Sequence, residues 1–354
     1  MKFLVLPGDG IGPEIVESAT DALEALDRRY NLKIELERHD VGFASLERTG
    51  STLPPDVMAM ATRVDGVLLG PVSTVDYPPL EKGGINPSAW FRTQLDLYAN
   101  IRPSYVRPGV PCHAAEMDLV IVRENTEGFY ADRNMAVGSG EFMPTPEVAL
   151  AVGKATTEGC RRIAATAFEL ARRRRCHVTA VHKANVLKLY SGLFLDQVRQ
   201  VAADYPDVDL DTIIVDAMAA LLIREPQRFD VVVTTNMFGD ILSDEASEIA
   251  GGLGLAGSLN AGDKFAVAQA AHGSAPDLAG HDKANPVAFL QSVAMLLEHL
   301  GTKKERRDLI DAAETLKVET DALLASPATR TPDLGGSSGT KAFTAALVAA
   351  INAG

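Results

Sequence analysis

The chain has 354 residues, 46% of them hydrophobic and 23% charged, the make-up of a folded globular protein with one large core or two ordinary ones. Its 34 Lys+Arg stand against 47 Asp+Glu, a formal net charge of −13. Binding to phosphate backbones or anionic membranes needs a cationic stripe, so neither nucleic acid nor a membrane surface is an expected partner.

Residues 3–6 (FLVL) read as a buried strand, too short for the core of a signal peptide. From 13 to 29, Ile15, Val16, Ala19, Ala22, Leu23 and Leu26 recur near a 3.6 period behind a first-turn proline, which predicts a helix. Short apolar runs at 34–36, 64–70, 118–122, 177–182, 211–215 and 230–235 predict further strands, and 147–174 the longest helix. That helix ends in Arg172 to Arg175, read as a solvated cationic terminus that complements the helix dipole. The alternation of strand and helix is α/β. No apolar run approaches the roughly 18 residues of a membrane span. Cys112, Cys160 and Cys176 are sparse and far apart, as reduced structural thiols in a cytoplasmic protein would be. No Gly/Ser linker separates domains, so two lobes sharing one sheet are expected.

Four segments are candidates for chemistry. Gly8-Asp9-Gly10-Ile11-Gly12-Pro13-Glu14 follows a strand and opens a helix, yet Pro13 stands where the dinucleotide fingerprint wants glycine, so a Rossmann fold is not expected. A structural turn and a ligand-facing loop both fit it. After the run at 230–235, Asp240 and Asp244 lie one helical turn apart on one face, where like charges repel and a hard cation with oxygen ligands would offset them. Helix-start acids favoured by the dipole are the plainer reading. Asp216, at the end of another strand, is a third oxygen donor. Arg92, Arg102 and Arg123 would form a fork-like clamp for a small polycarboxylate if they converged, and ordinary ion pairs if they did not. His272-Gly273-Ser274-Ala275-Pro276-Asp277-Leu278-Ala279-Gly280 is a turn-rich loop whose small residues allow close backbone approach and whose Asp277 can accept from ribose hydroxyls.

Taken together, LPGDGIGPE, LDLYANIRP, VRENTEGFY, VHKANVLK, FDVVVTTNMFGDILSDEAS, HGSAPDLAG and DLGG resemble, over nearly the whole chain, the β-decarboxylating dehydrogenases of the isocitrate and isopropylmalate dehydrogenase family. The resemblance implies two lobes around a mixed sheet of about ten strands, with 1–98 plus 251–354 as the cofactor lobe and 99–250 as the substrate and dimerisation lobe. It also implies Asp216, Asp240 and Asp244 as Mg²⁺ or Mn²⁺ ligands, and Arg92, Arg102 and Arg123 as the carboxylate clamp. Tyr130 and Lys183 take the acid and base roles, Asn185 positions nicotinamide, and His272 to Asp277 with Asn285 hold adenosine. Lys183 and Asp216 would enter from the neighbouring subunit, which makes the enzyme a homodimer. NADP-using members resemble a Lys-Tyr pair where this chain has Asp277-Leu278, and a carboxylate there repels a 2′-phosphate, so NAD is expected.

The expected substrate is a 3-substituted malate. Isopropylmalate enzymes resemble Leu-Leu where this chain has Ser88 and Ala89, and isocitrate enzymes resemble Ser-x-Asn where it has Asn86-Pro87-Ser88. Homoisocitrate enzymes tend to have an arginine in place of Ala89. Asn86 and Ser88 favour a polar γ-group, as in isocitrate, with isopropylmalate and tartrate or D-malate as alternatives. A non-catalytic regulatory subunit is a remote one, because such chains lose the metal or acid/base residues that this one keeps.

Overall fold

A computed structural model describes residues 1–130 and 140–353. The amino-terminal part runs β1 (Lys2–Leu6), α1 (Gly12–Tyr30), β2 (Glu35–Arg38), α2 (Phe43–Thr49), α3 (Pro55–Ala61), β3 (Gly66–Leu69) and α4 (Pro87–Gln94). The middle carries β4 (Ala99–Tyr105), β5 (Asp118–Glu124), β6 (Glu141–Thr145), β7 (Val148–Ala151), α5 (Thr157–Arg172), β8 (His177–His182), α6 (Tyr190–Ala202), β9 (Asp209–Ile214), α7 (Val215–Arg224), β10 (Val231–Thr234) and α8 (Asn236–Ile249). The chain ends with β11 (Leu259–Ala261), β12 (Ala266–Ala268), α9 (Val287–Lys303), α10 (Arg307–Leu324) and α11 (Thr340–Ala353).

Ten strands form one mixed sheet in the order β2-β1-β3-β12-β11-β4-β5-β10-β8-β9. The β2-β1-β3-β12 half and the β5-β10-β8-β9 half are each parallel, and antiparallel pairings of β11 with β12 and β4, and of β4 with β5, join them. This is the α/β fold with a ten-strand mixed sheet, not a Rossmann arrangement. Parallel strands buried on both faces read as continuous apolar runs, and β1, β3 and β10 are buried almost throughout.

α1 buries Ile15, Val16, Ala19, Ala22, Leu23 and Leu26 along the stripe that the spacing predicts, with a proline in its first turn and Asn31 at φ +51 closing it. These residues join α9 and α10 in one core cluster, whereas β5, β8, β10, α5 and α6 build another around Phe168 and Phe194. Two predicted elements need correction. The helix expected over 147–174 begins only at Thr157, capped by the Thr156 hydroxyl, and 148–151 pair with 141–145 as a hairpin. Arg172 to Arg175 are not a simply solvated terminus either: Arg172 binds Asp207, and Arg174 and Arg175 bind Asp118 and the buried Asp230, tying the end of α5 to β5 and β10. The cysteines are free, and no described helix is long and apolar enough to cross a membrane.

The first glycine loop is a packing device. At Gly10, with φ +58, an added Cβ would lie 2.0 Å from the Ser274 carbonyl oxygen, and Ile11 N donates to that same oxygen at 2.8 Å. Asp9, 6% exposed, accepts from Phe43 N and Ser73 N at 2.8 and 2.9 Å and from the Tyr77 hydroxyl. The loop therefore docks the end of β1 against the 272–280 loop.

Candidate active site

β4 and β5 pair so that Asn100 faces Arg123 and Arg102 faces Ile121, which places Asn100, Arg102 and Arg123 on one face of the sheet, under α8. α8 approaches closely because Gly239 carries no side chain: a Cβ there would lie 2.6 and 2.7 Å from Arg123 Cγ and Cβ. The approach brings charge onto charge. Arg123, 2% exposed, pairs with Asp240 and donates Nε and Nη2 to Asn236 Oδ1 at 3.1 and 2.7 Å. Arg102, 5% exposed, reaches both Asp240 and Asp244 at 3.3 Å, donates to Ser243 Oγ at 2.7 Å, and is braced by Asn100 Oδ1 at 2.6 Å. Burial raises the Asp244 carboxyl above its ordinary range, opposed by Arg102.

Two of the arginines expected to form the clamp and two candidate ligands thus converge, and Tyr130 joins them with its hydroxyl 3.5 Å from Asp240 Oδ2. The Tyr130 loop is held by a buried acid pair. Glu124 accepts from Thr126 N and Oγ1 and from Glu127 N, all at 2.8 Å, while Glu127 accepts from Thr156 N and Oγ1. Desolvation pushes Glu124 upward.

Asp216 lies elsewhere. It does not end a strand, as expected, but sits in the first turn of α7, where it forms an ion pair with Lys183, the residue after β8. That bond holds the Asp216 carboxyl below the usual carboxylate range. No group of three metal-capable side chains forms among the described residues, so one chain brings together Asp240 and Asp244 but not Asp216. Paired carboxylates a helical turn apart, with half of the Asp244 side chain exposed at 51%, present the hard oxygen donors that Mg²⁺ or Mn²⁺ takes.

Arg92 is half-buried on α4. Asn86 caps that helix, its Oδ1 accepting from Ala89 N at 3.0 Å, a bond that leaves the amide nitrogen as the donor a substrate carboxylate would need. Ser88 Oγ accepts from Gln269 Nε2 at 2.8 Å. Asn185 is exposed, two residues beyond Lys183.

The 272–280 loop has the features of a ligand cradle. Its Ala275 is held at φ +38, unusual for a residue with a Cβ. His272 lies 2.9 Å through Nδ1 from the Gly273 carbonyl, and burial keeps the ring below its ordinary pKa, so the neutral ring donates at Nδ1 and accepts at Nε2. That Nε2 is buried without a partner, a fit for an adenine amino donor. A Cβ on Gly273 would meet nothing within 4 Å, Asp277 is exposed, and Ser274 bonds Ser73 at 2.7 Å. Asn285 donates to Asp333 Oδ2 at 2.9 Å and caps Val287 N, so the DLGG segment supports it.

Asn236, Ser243, Asn100 and Gln269 were not foreseen as parts of the site. Asn236 and Ser243 belong to the motif that holds Asp240 and Asp244, the one sequence signal for them.

Residues 2–351 match the family described as isocitrate/isopropylmalate dehydrogenase. A 3-isopropylmalate dehydrogenase of Methanothermobacter thermautotrophicus is 41% identical over 348 residues, 98% of this chain and 97% of that protein. An isocitrate/homoisocitrate dehydrogenase of Thermus thermophilus is also 41% identical, over 99% of this chain and 98% of its own. Among solved structures, the isocitrate dehydrogenase of Methylococcus capsulatus superposes with a TM-score of 0.88 at 37% identity, covering 99% of each chain. The chain belongs to the isocitrate/isopropylmalate dehydrogenase family and is one of its decarboxylating oxidoreductases.

Proposed function

We propose that this chain is an NAD- and Mg²⁺- or Mn²⁺-dependent dehydrogenase that oxidatively decarboxylates a 3-substituted malate with a polar γ-group, isocitrate or a close relative. The observation that carries this reading is the convergence of Arg102, Arg123, Asp240, Asp244 and Tyr130 beneath α8. Two relatives at the same 41% identity are named for isopropylmalate and for isocitrate/homoisocitrate, so overall similarity does not choose between them. The choice rests on Ser88 and Ala89, which offer an isopropyl group little apolar surface.

The assembly is a homodimer with shared sites, each taking Lys183 and Asp216 from the second copy. The exposed apolar surface supports this. The β6–β7 hairpin shows Phe142, Met143 and Leu150 at 50, 62 and 46% exposure, and Ile223 and Ile241 on α7 and α8 stand at 70 and 60%. The same two helices carry Asp216 and Asp240. The lobe division at 1–98 plus 251–354 and 99–250 is supported by core clusters that fall almost wholly to one side or the other. Free cysteines suit a cytoplasmic protein.

In the reaction, Arg92, Arg102 and Arg123 hold the carboxylates and fix the malate backbone. Lys183 takes the C2 hydroxyl proton as the C2 hydride departs. Asp240, Asp244 and Asp216 of a second copy would hold the divalent cation, which would supply polarisation of the C2 oxygen, and NAD held at the 272–277 loop would supply the hydride acceptor. Loss of the β-carboxylate as CO₂ leaves an enolate, which Tyr130 protonates at C3. The acids around Tyr130 and the guanidinium pair keep this chemistry in a fixed polar environment.

Two measurements check the cofactor reading. With the favoured substrate, kcat/KM for NAD should exceed that for NADP by more than about tenfold, since Asp277 accepts from a free ribose hydroxyl and repels a phosphate. Chelation by EDTA should abolish turnover and added Mn²⁺ restore it. A preference for NADP, or turnover indifferent to EDTA, contradicts the proposal.

A further inference from the structure

Tyr130 closes a loop that leaves β5 at Glu124, and the loop is anchored on both sides. On the β5 side the turn folds onto the Glu124 carboxylate, and Asn125 Nδ2 donates to the Leu97 carbonyl and to Asn260 Oδ1 at 2.8 and 3.0 Å. From there the chain crosses to the start of α5. Gly128, at φ +85, exchanges backbone hydrogen bonds with Lys154 at 2.8 and 2.9 Å. Glu127, 7% exposed, accepts from Thr156 N at 2.9 Å and from Thr156 Oγ1 at 2.6 Å. That same hydroxyl oxygen accepts from Gly159 N at 3.0 Å in the first turn of α5. Gly159 makes the contact possible, because a Cβ there would lie 2.6 Å from Glu127 Oε2. A side chain bonded through both oxygens to a helix start has a fixed length to span, and Tyr130 lies three residues beyond it.

We propose that Glu127 is a positioning residue for Tyr130: by fastening the loop to the start of α5 through Thr156, it sets the point from which the tyrosine hydroxyl meets C3 of the enolate. The inference rests on the reading above in which Tyr130 is the acid. In that step the Tyr130 O–H bond breaks, the C2–C3 π pair forms the C3–H bond and the C2 oxygen regains its carbonyl bond. The tyrosinate then takes a proton from solvent. Hydride transfer and loss of CO₂ precede this step, so a displaced Tyr130 slows the protonation alone, and the first NADH of each site still forms at the normal rate. Length rather than charge is what the Thr156 contact requires. Aspartate keeps the charge but falls one methylene short. Glutamine keeps the length, accepting from Thr156 N through Oε1 and donating to Thr156 Oγ1 through Nε2.

The test uses Glu127→Asp, Glu127→Gln, Thr156→Val and Tyr130→Phe in the full-length protein with NAD and Mn²⁺, following NADH by stopped-flow absorbance. Isocitrate, isopropylmalate and D-malate are each run, since all three are protonated at C3 whatever the γ-group. The expected result is a kcat lower by roughly tenfold in Glu127→Asp and Thr156→Val, with KM within about twofold of wild type. Both variants show a burst of about one NADH per site before the slow steady state. Glu127→Gln stays within about threefold of wild type. Tyr130→Phe loses roughly a hundredfold, and the double variant Glu127→Asp/Tyr130→Phe loses no more. Wild-type kcat in Glu127→Asp, a larger loss in Glu127→Gln than in Glu127→Asp, or slow variants without a burst overturns the positioning role while leaving Tyr130 as the acid. A fully active Tyr130→Phe, or no NADH from wild type with any of the three substrates, overturns both.

Discussion

Lys183→Met should lower kcat by about a thousandfold or more, since a positioned general base contributes on the order of 10²–10⁴ and no neighbouring group replaces it. Folding should survive. The Lys183–Asp216 pair is solvent-accessible, and surface ion pairs contribute little to stability. Isocitrate should still quench Trp90, because the proposed clamp arginines remain. A mixing experiment separates a shared site from a self-contained one. Lys183→Met and Asp240→Asn homodimers should each be inactive. In a mixed dimer, one site receives Asp240 from the first chain and Lys183 from the second. Random reassociation should therefore recover about a quarter of wild-type activity, half the dimers being mixed and each having one good site. Ordinary turnover by purified Lys183→Met sinks the base assignment, and no recovery on mixing sinks the shared site.

Arg123→Ala is expected to be the most destabilising change in the site, by about 3 kcal/mol in urea denaturation. It removes a buried cation, strands the Asn236 acceptor and takes from Asp240 one of its two guanidinium partners. Turnover should fall with it, so the substitution alone confounds fold and chemistry. Gly239→Ala separates them. Alanine favours the helix by about 1 kcal/mol, while overpacking against Arg123 costs about 1–3 kcal/mol, so net stability should change little. The added methyl nevertheless displaces the guanidinium, because its contacts at 2.6 and 2.7 Å are with the first carbons of the Arg123 side chain. Isocitrate kcat/KM should fall by about tenfold or more at near-constant stability. A Gly239→Ala enzyme with full activity shows that the Arg123 position is not critical.

Much of this was legible in the sequence for local reasons. A strand buried on both faces declares itself by an uninterrupted apolar run, as in the VVVT of β10, and α1 by its 3.6-residue stripe. Asp240 and Asp244 could be paired from their spacing alone. The stretch 147–156 was misread because its alanines and valines fit either a helix or an alternating strand, and only pairing with 141–145 decides. The arginine run was misread for a similar reason: Asp207, Asp118 and Asp230 lie about 30 to 60 residues from it in sequence. Gln269 was out of reach because a side-chain hydrogen bond across the fold leaves no periodicity behind. Ser88 and Gln269 are separated by 181 positions. The capping role of Asn86 was itself legible, because Pro87 behind it is the ordinary signature of a capped helix start.

The net charge of −13 says little about the site. In the proposed dimer the cleft would gather Arg92, Arg102, Arg123 and Lys183 around three aspartates, and a bound divalent cation would add two positive charges, a local field that would favour an anionic substrate in an acidic protein. The most direct measurement is therefore a substrate panel with the purified chain, NAD and Mn²⁺, comparing isocitrate, isopropylmalate, homoisocitrate, D-malate and tartrate by kcat/KM. NADH, CO₂ and 2-oxo acid are counted together for the best of them. The expected result is one NADH and one CO₂ for each 2-oxo acid, with a γ-carboxylate substrate ranked first. Isopropylmalate ranked first, or no NADH from any of the five, contradicts it.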